Sequence, residues 1–244
     1  MAIYTLVRQD KMLARLNNIF RGFGTLLFPP YCYACERSLA AGESLICTYC
    51  RIRLPYTDIP HLEPDAVLKH RFSGEINLKY ALAYLYFKRS GRVQRLLHAL
   101  KYQGVQEIGL LLGQWYGETL SENGFQAAFD YILPVPLHAA KRRQRGYNQS
   151  ETFAQGLGQA LQVPVASQVL TRQVNTSSQT HKTRAERWQN VAHVFQVSQP
   201  ACMQDQRVLL VDDVLTTGAT LEAGALALVK AGCREVSIGV IAAA

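Results

Sequence analysis

Four apolar residues, Val208, Leu209, Leu210 and Val211, run straight into Asp212 and Asp213, and the chain then continues Val-Leu-Thr-Thr-Gly-Ala-Thr to Thr220. An unbroken apolar run of this length suits a strand buried on both faces of a parallel sheet. Two adjacent carboxylates at its carboxyl end make no sense as core, because buried charge without a partner is costly. In open parallel sheets ligands bind outside the carboxyl ends of the strands, so the pair is expected at the mouth of a site.

The residues that follow specify the ligand further. Leu215 to Thr220 lead into a helix expected over 220–231, so backbone N–H groups and the hydroxyls of Thr216, Thr217 and Thr220 surround the positive end of a helix dipole. Gly218 permits close backbone approach, and the whole reads as a cradle for a monophosphate. Carboxylates beside such a cradle would repel phosphate and must face something neutral or cationic. A sugar with free hydroxyls and a terminal phosphate, with Mg²⁺ nearby, satisfies both halves. The chain contains no G-x-x-x-x-G-K-[ST] and no G-x-G-x-x-G, and Asp-Asp-Val is not the Asp-x-Asp of aspartyl-phosphate hydrolases. Helix capping alone would need one aspartate, not two.

A second constraint lies near the N-terminus. Cys32, Cys35, Cys47 and Cys50 form C-x2-C, eleven residues, then C-x2-C. Each pair can make a knuckle offering two thiolates, and the intervening arm is long enough to close a tetrahedral site, for which Zn²⁺ is the natural occupant. Two disulfides or a redox pair are the alternatives. The first needs an oxidising compartment, and the second is expected beside a βαβ pattern and not duplicated so closely. A closed four-thiolate site leaves no open position for chemistry, so its role would be to fold a segment poor in apolar mass. Cys202 and Cys233 stand alone and read as core or loop residues.

Between and around these features the chain divides into an amphipathic N-terminal helix over 1–27, a cysteine module over 28–54 and a larger α/β domain over 55–244. Leu6, Met12, Leu13, Leu16, Ile19, Phe20 and Phe23 make one side of the first helix, which Gly22, Gly24, Pro29 and Pro30 end. Pro55, Pro60 and Pro64 mark a linker. Strands are expected over 80–87, 129–135, 163–170, 207–213 and 235–241. Helices are expected over 92–101, 106–121, 148–162 and 220–231, with a basic loop after Leu137 and a polar loop to about 195. Such alternation implies a mainly parallel sheet with right-handed crossovers.

With 244 residues, 48% of them hydrophobic, the chain can bury a sizeable core. Its formal charge of +8 favours an anionic partner such as nucleic acid, a phosphorylated metabolite or an acidic surface, with a solvated basic face as the alternative. No apolar run reaches 18 residues, and Arg8, Lys11, Arg15 and Arg21 are scattered through the first apolar stretch, so neither a membrane span nor a secretory signal is expected. The thiols are accordingly expected in a reducing cytoplasm.

The segment VLLVDDVLTTGAT resembles the phosphoribosyl pyrophosphate (PRPP) signature of type I phosphoribosyltransferases throughout its length. Four further blocks, LLFPPYCYAC with its second CxxC, LLHALKYQG, PVPLHAAKRRQRGYNQS and QTHKTRAERWQNVAHVF, are similar in this order to the ComF family of competence proteins. The resemblance spans residues 26–244. It implies a zinc-ribbon module joined to a type I phosphoribosyltransferase domain, associated with DNA uptake in natural transformation. Carried over residue by residue, it implies that Asp212 and Asp213 hold the ribose 2′ and 3′ hydroxyls and that Thr216, Thr217, Gly218, Ala219 and Thr220 hold the 5′-phosphate. It also singles out Lys101 and Arg145 as ligand contacts.

Lys141, Arg142, Arg143 and Arg145 lie just past a strand end, and guanidinium forks suit pyrophosphate; a solvated or nucleic-acid-binding basic loop is the alternative. Lys101, Arg142 and Arg145 are the candidates for pyrophosphate. His138 and His181 are candidate bases, and Arg184, Arg187 and Asn190 lie in a loop long enough to act as a lid. The chemistry implied is departure of Mg²⁺-bound pyrophosphate from ribose C1, with carboxylates stabilising the oxocarbenium ion and an acceptor nitrogen attacking. No acceptor-recognition motif can be read. The expected partners are PRPP, single-stranded DNA and other competence proteins at the inner face of the cytoplasmic membrane. The alternative function is a non-catalytic PRPP-sensing or single-stranded-DNA-binding scaffold.

Overall fold

The structure, a computed structural model, describes residues 30–57, 72, 76–172 and 194–244. The expected N-terminal helix, the lid residues Arg184, Arg187 and Asn190, and His181 lie outside the described residues. The chain divides into two compact units, residues 1–53 and 54–244.

In the first unit, the segment from Pro30 folds around the four cysteines and ends in a short helix α1 (Thr48–Ile52). Local bonds make the first knuckle: the Cys32 N–H donates to the Arg37 carbonyl at 2.8 Å and the Glu36 N–H to the Cys32 carbonyl at 2.7 Å.

The second unit is built on a four-stranded sheet of order β1-β6-β5-β2, parallel throughout. Its strands are β1 (Ala81–Tyr86), β2 (Tyr131–Pro134), β5 (Arg207–Leu215) and β6 (Glu235–Ala243). Val208 to Val211 are all buried, as a strand covered on both faces requires. Helices α2 (Arg92–Tyr102) and α3 (Glu107–Glu122) join β1 to β2. Helices α4 (Ala139–Arg145) and α5 (Gln149–Leu161) follow β2. A two-stranded antiparallel ribbon, β3 (Leu170–Arg172) with β4 (Phe195–Val197), and a short helix α6 (Pro200–Met203) precede β5. Helix α7 (Ala219–Lys230) connects β5 to β6 and buries Leu221, Ala225 and Leu228 against Val208, Leu210, Val236 and Ile238.

Glycines let α3 and α5 cross with their backbones in contact. A Cβ on Gly113 would lie 2.3 Å from the Phe153 carbonyl oxygen, and one on Gly156 would lie 2.1 Å from that of Leu110. This close packing fixes α5, and with it the residues at its N-terminus. At the opposite end of the sheet, Arg207 ties β5 to the start of β2 through two guanidinium bonds to Asp130, at 2.6 and 3.1 Å, which hold the Asp130 carboxyl below its ordinary range.

Two expectations are corrected. The basic loop after Leu137 is helical over Ala139–Arg145, capped by His138, whose Nδ1 accepts from the Ala140 N–H at 3.2 Å. All seven residues of that helix are at least partly exposed, so it carries no apolar period to read. The strand expected over 163–170 reduces to a parallel bridge between Val165 and Ile132 at the sheet edge, and the chain pairs again only in the β3–β4 ribbon.

Candidate functional site

The site forms where β5 outruns its neighbour. Pairing of β2 with β5 ends at Pro134 and Val211, whereas β6 stays paired with β5 to Leu215. Asp212 and Asp213 therefore lie within the strand, two residues further inside it than the expected end at 213, on a stretch whose β2 side is open. The start of α5 reaches into this opening. Asn148 caps that helix, its Oδ1 accepting from the Ser150 N–H at 3.3 Å, and its Nδ2 donates to the Val135 carbonyl at 3.0 Å, pinning the helix to the end of β2.

This pin delivers a buried hydroxyl to the carboxylates. Ser150 Oγ donates to Asp212 Oδ1 at 2.7 Å, and the Asp213 backbone N–H donates to the same oxygen at 2.8 Å. From the C-terminal end of α2, Lys101 Nζ binds Asp213 Oδ1 at 2.8 Å, with the two side chains only 21% and 13% exposed. Each carboxylate thus has one oxygen committed to the protein, while its Oδ2 has no hydrogen-bond partner among the described residues. Burial raises the Asp212 carboxyl to about 7, and the neighbouring Asp213 charge adds to the rise against the Ser150, Asp213 N–H and Lys101 contributions.

Beyond the pair, Thr216, Thr217 and Gly218 bend the chain into α7. Gly218 sits at φ +81°, a conformation side-chain-bearing residues adopt with strain, and no side chain caps the helix. Thr216, Thr217, Ala219 and Thr220 are exposed around this uncapped N-terminus, which leaves first-turn N–H groups and hydroxyls for an anion.

The basic candidates separate. Lys101 lies on the carboxylate pair itself. Arg145 is half-buried, donates from Nη1 to Gln149 Oε1 at 2.8 Å and lies 5.3 Å over the Tyr102 ring. It therefore stands one residue from Ser150 on one side and one residue from Lys101 on the other. Tyr147 fastens the two helices by donating its hydroxyl to the Leu100 carbonyl, and burial raises its phenol above the ordinary range. Arg142 is exposed, with no described bond to these groups, and its carbonyl accepts from the Gly146 N–H at 2.8 Å to end α4. Sequence reasoning missed Ser150 and Asn148. The Asn-x-Ser at a helix start signals only a cap, and nothing local reports the strand it meets.

In the first unit the Sγ atoms of Cys32, Cys35, Cys47 and Cys50 all lie within 4.8 Å of one another, none of the four is in a disulfide, and the arrangement could hold a metal ion. Burial works against ionisation of Cys32, but N–H groups of Cys47, Ala34 and Cys35 prevail and bring its thiol down to about 7; burial raises that of Cys47. Among the described residues no helix is long and apolar enough to cross a membrane.

Residues 148–244 match the family model of the phosphoribosyl transferase domain. The chain is 28% identical over 224 residues to the DNA utilization protein YhgH of Escherichia coli O157:H7, covering 87% of this chain and 96% of that protein. It is 34% identical over 108 residues to competence protein F of Haemophilus influenzae, covering 44% and 47% of the two chains. Competence protein ComFC of Bacillus subtilis is 24% identical over 202 residues, 82% of this chain and 78% of that one. With a parallel sheet carrying the Asp212–Asp213 strand and loop, and an N-terminal four-cysteine cluster, the chain has the type I phosphoribosyltransferase fold and is similar over most of its length to the YhgH and ComFC proteins.

Proposed function

We propose that the chain binds Mg·PRPP and transfers its phosphoribosyl group to an acceptor nitrogen. The observation that carries this reading is the pair of half-anchored carboxylates, two residues before a bend into an uncapped helix N-terminus. Oδ2 of Asp212 and Oδ2 of Asp213 accept the ribose 2′ and 3′ hydroxyls, and Thr216, Thr217, Gly218, Ala219 and Thr220 hold the 5′-phosphate. Adjacency of the two features then reflects two ends of one ribose 5-phosphate. Lys101, Arg145 and Arg142 are the cations for pyrophosphate, Lys101 starting from its bond to Asp213. The bond from C1 to pyrophosphate oxygen breaks, the acceptor nitrogen bonds to C1, and its proton leaves to solvent. The carboxylates, already ordered, stabilise the cationic sugar as it forms.

Mg²⁺ fits this donor set, which has two carboxylates and no third acidic ligand among the described residues, in the manner of sites completed by substrate phosphates. When bound it neutralises charge on the pyrophosphate. The four thiols fit Zn²⁺, which would be structural, and residues 28–54 and 55–244 are then the zinc-ribbon module and the transferase domain. The relatives' names, competence proteins and a DNA utilization protein, support a role in DNA uptake; action at the inner face of the cytoplasmic membrane is part of the proposal.

The test is pyrophosphate release from Mg·PRPP across a panel of bases. Release that disappears with Asp212→Asn plus Asp213→Asn supports transfer. PRPP binding with no release from any base would favour the second reading, a PRPP-sensing scaffold that handles single-stranded DNA, for which the exposed Lys141, Arg142 and Arg143 of α4 speak. Single-strand affinity independent of salt would remove that reading.

A further inference from the structure

Tyr102 ends α2 with 63% of its surface exposed, and its ring has two charged or aromatic neighbours that leave most of it open. The Arg145 guanidinium lies 5.3 Å from the ring centroid, and the His98 ring lies 5.0 Å away, tilted at 46°. Two members of this stack, Tyr102 and Arg145, lead into the carboxylate pair. Lys101, which precedes Tyr102, binds Asp213, and Arg145 binds Gln149, which precedes the Ser150 bonded to Asp212. At that joint the Gln149 amide is fully buried, and its Oε1 accepts from Arg145.

We propose that the Arg145–Tyr102–His98 stack is the seat of the acceptor, and that what it takes is the flat face of a nucleobase. An aromatic face with a guanidinium already over it offers stacking and cation–π attraction together, and both work on any base. The ring is ordered before the ligand arrives, so little rotamer freedom is lost on stacking. The charge around it is complementary to a nucleotide chain: Arg95 and His98 on α2 and Lys141, Arg142 and Arg143 on α4 are all exposed. One chemistry therefore has two sources, a free base or a base in a single strand. That the stacked base receives the phosphoribosyl group rests on the PRPP reading; that a base stacks on Tyr102 does not.

The full chain is titrated with free nucleobases, with an oligothymidine of about 12 nucleotides and with an abasic oligomer of equal length. The base-bearing strand, the free bases or both are expected to bind, the strand about tenfold more tightly than its abasic twin, and Tyr102→Leu to remove about that factor while Tyr102→Trp keeps it. Loss confined to the strand identifies a strand as the source, and loss with free bases identifies a free base. Equal affinity for the abasic strand without free-base binding, a Tyr102→Leu protein that binds as wild type, or a wild type that binds no base in any form overturns the proposal. Photo-cross-linking of the strand to wild-type protein decides independently of how Tyr102→Leu folds: adducts in 92–102 or 139–149 support the seat, and adducts only elsewhere overturn it. Mg·PRPP affinity, measured on the same preparations, reports failure of the carboxylate site separately.

Discussion

Replacing Asp212 with Asn should stabilise the protein while abolishing its affinity for Mg·PRPP. Asn keeps an oxygen to accept from Ser150 Oγ and from the Asp213 N–H, so both anchoring bonds survive. It loses the negative charge that burial and Asp213 make expensive, the causes that raise the Asp212 carboxyl from 3.8 to about 7. Three units correspond to about 4 kcal/mol at about 1.4 kcal/mol each. Part of Asp212 remains open to solvent, which reduces the expectation to about 2 kcal/mol, or about 4–8 °C in Tm for a unit of this size. Between about pH 4 and 7 the folded protein keeps a proton that the unfolded chain has released. Raising the pH through this window therefore removes stability from wild type but not from the Asn variant. Thermal unfolding of both proteins at steps from pH 4.5 to 8 gives the answer, because other titrating groups are common to the pair. The two curves should converge near pH 4.5 and separate above it. An Asn variant less stable than wild type at pH 8, or a gap that does not close on acidification, refutes the reasoning.

Three other perturbations follow from the same geometry. Ser150→Ala removes the hydroxyl that orients Asp212 and should weaken Mg·PRPP binding about tenfold by calorimetry, since hydrogen bonds to charged groups are worth about 1.5–3 kcal/mol; unchanged affinity would show that the bond does not set the carboxylate's position. Gly218→Ala forces a Cβ into φ +81° and should lower stability by about 1–2 kcal/mol and ribose 5-phosphate affinity about tenfold, read from unfolding curves and phosphate titration; retention of both would argue against the loop as the phosphate cradle. Metal analysis should find about one Zn²⁺ per chain in wild type and none after Cys32→Ser with Cys47→Ser, with faster proteolysis within 30–53; wild type that is resistant without metal would dispose of the zinc assignment.

What could be read from the sequence was what repeats along the chain or is dense within it. The apolar run before Asp212, the cysteine spacing and the helices at Arg92–Tyr102, Glu107–Glu122, Gln149–Leu161 and Ala219–Lys230 each carry a local period or cluster, and they lie within a few residues of the expected bounds. Helix α4 was hidden because a short helix with no buried residue has no apolar face, and its stop at Gly146, with φ +79°, reads equally as a loop. The β3–β4 ribbon was hidden for a different reason: Leu170–Arg172 and Phe195–Val197 are three-residue strands whose pairing is long-range, and no pattern that short announces a partner.

The same distinction governs the site. Asp212, Asp213 and Gly218 lie within one short segment, so the sequence could show them together. Ser150 is 62 residues from Asp212, and Lys101 is 112 residues from Asp213; only the packing of α2 and α5 at the open side of β5 brings them in. That packing is also what makes the pair usable. Two adjacent carboxylates repel each other, and a mobile pair would present either four acceptor oxygens or a shared proton in many orientations. Anchoring Oδ1 of Asp212 on Ser150 and Oδ1 of Asp213 on Lys101 leaves one oxygen on each without a hydrogen-bond partner among the described residues, the number that the two vicinal hydroxyls of the proposed ligand require. The stability surrendered at Asp212 is thus the counterpart of an ordered acceptor pair, and the Asn variant should recover the first by giving up the second.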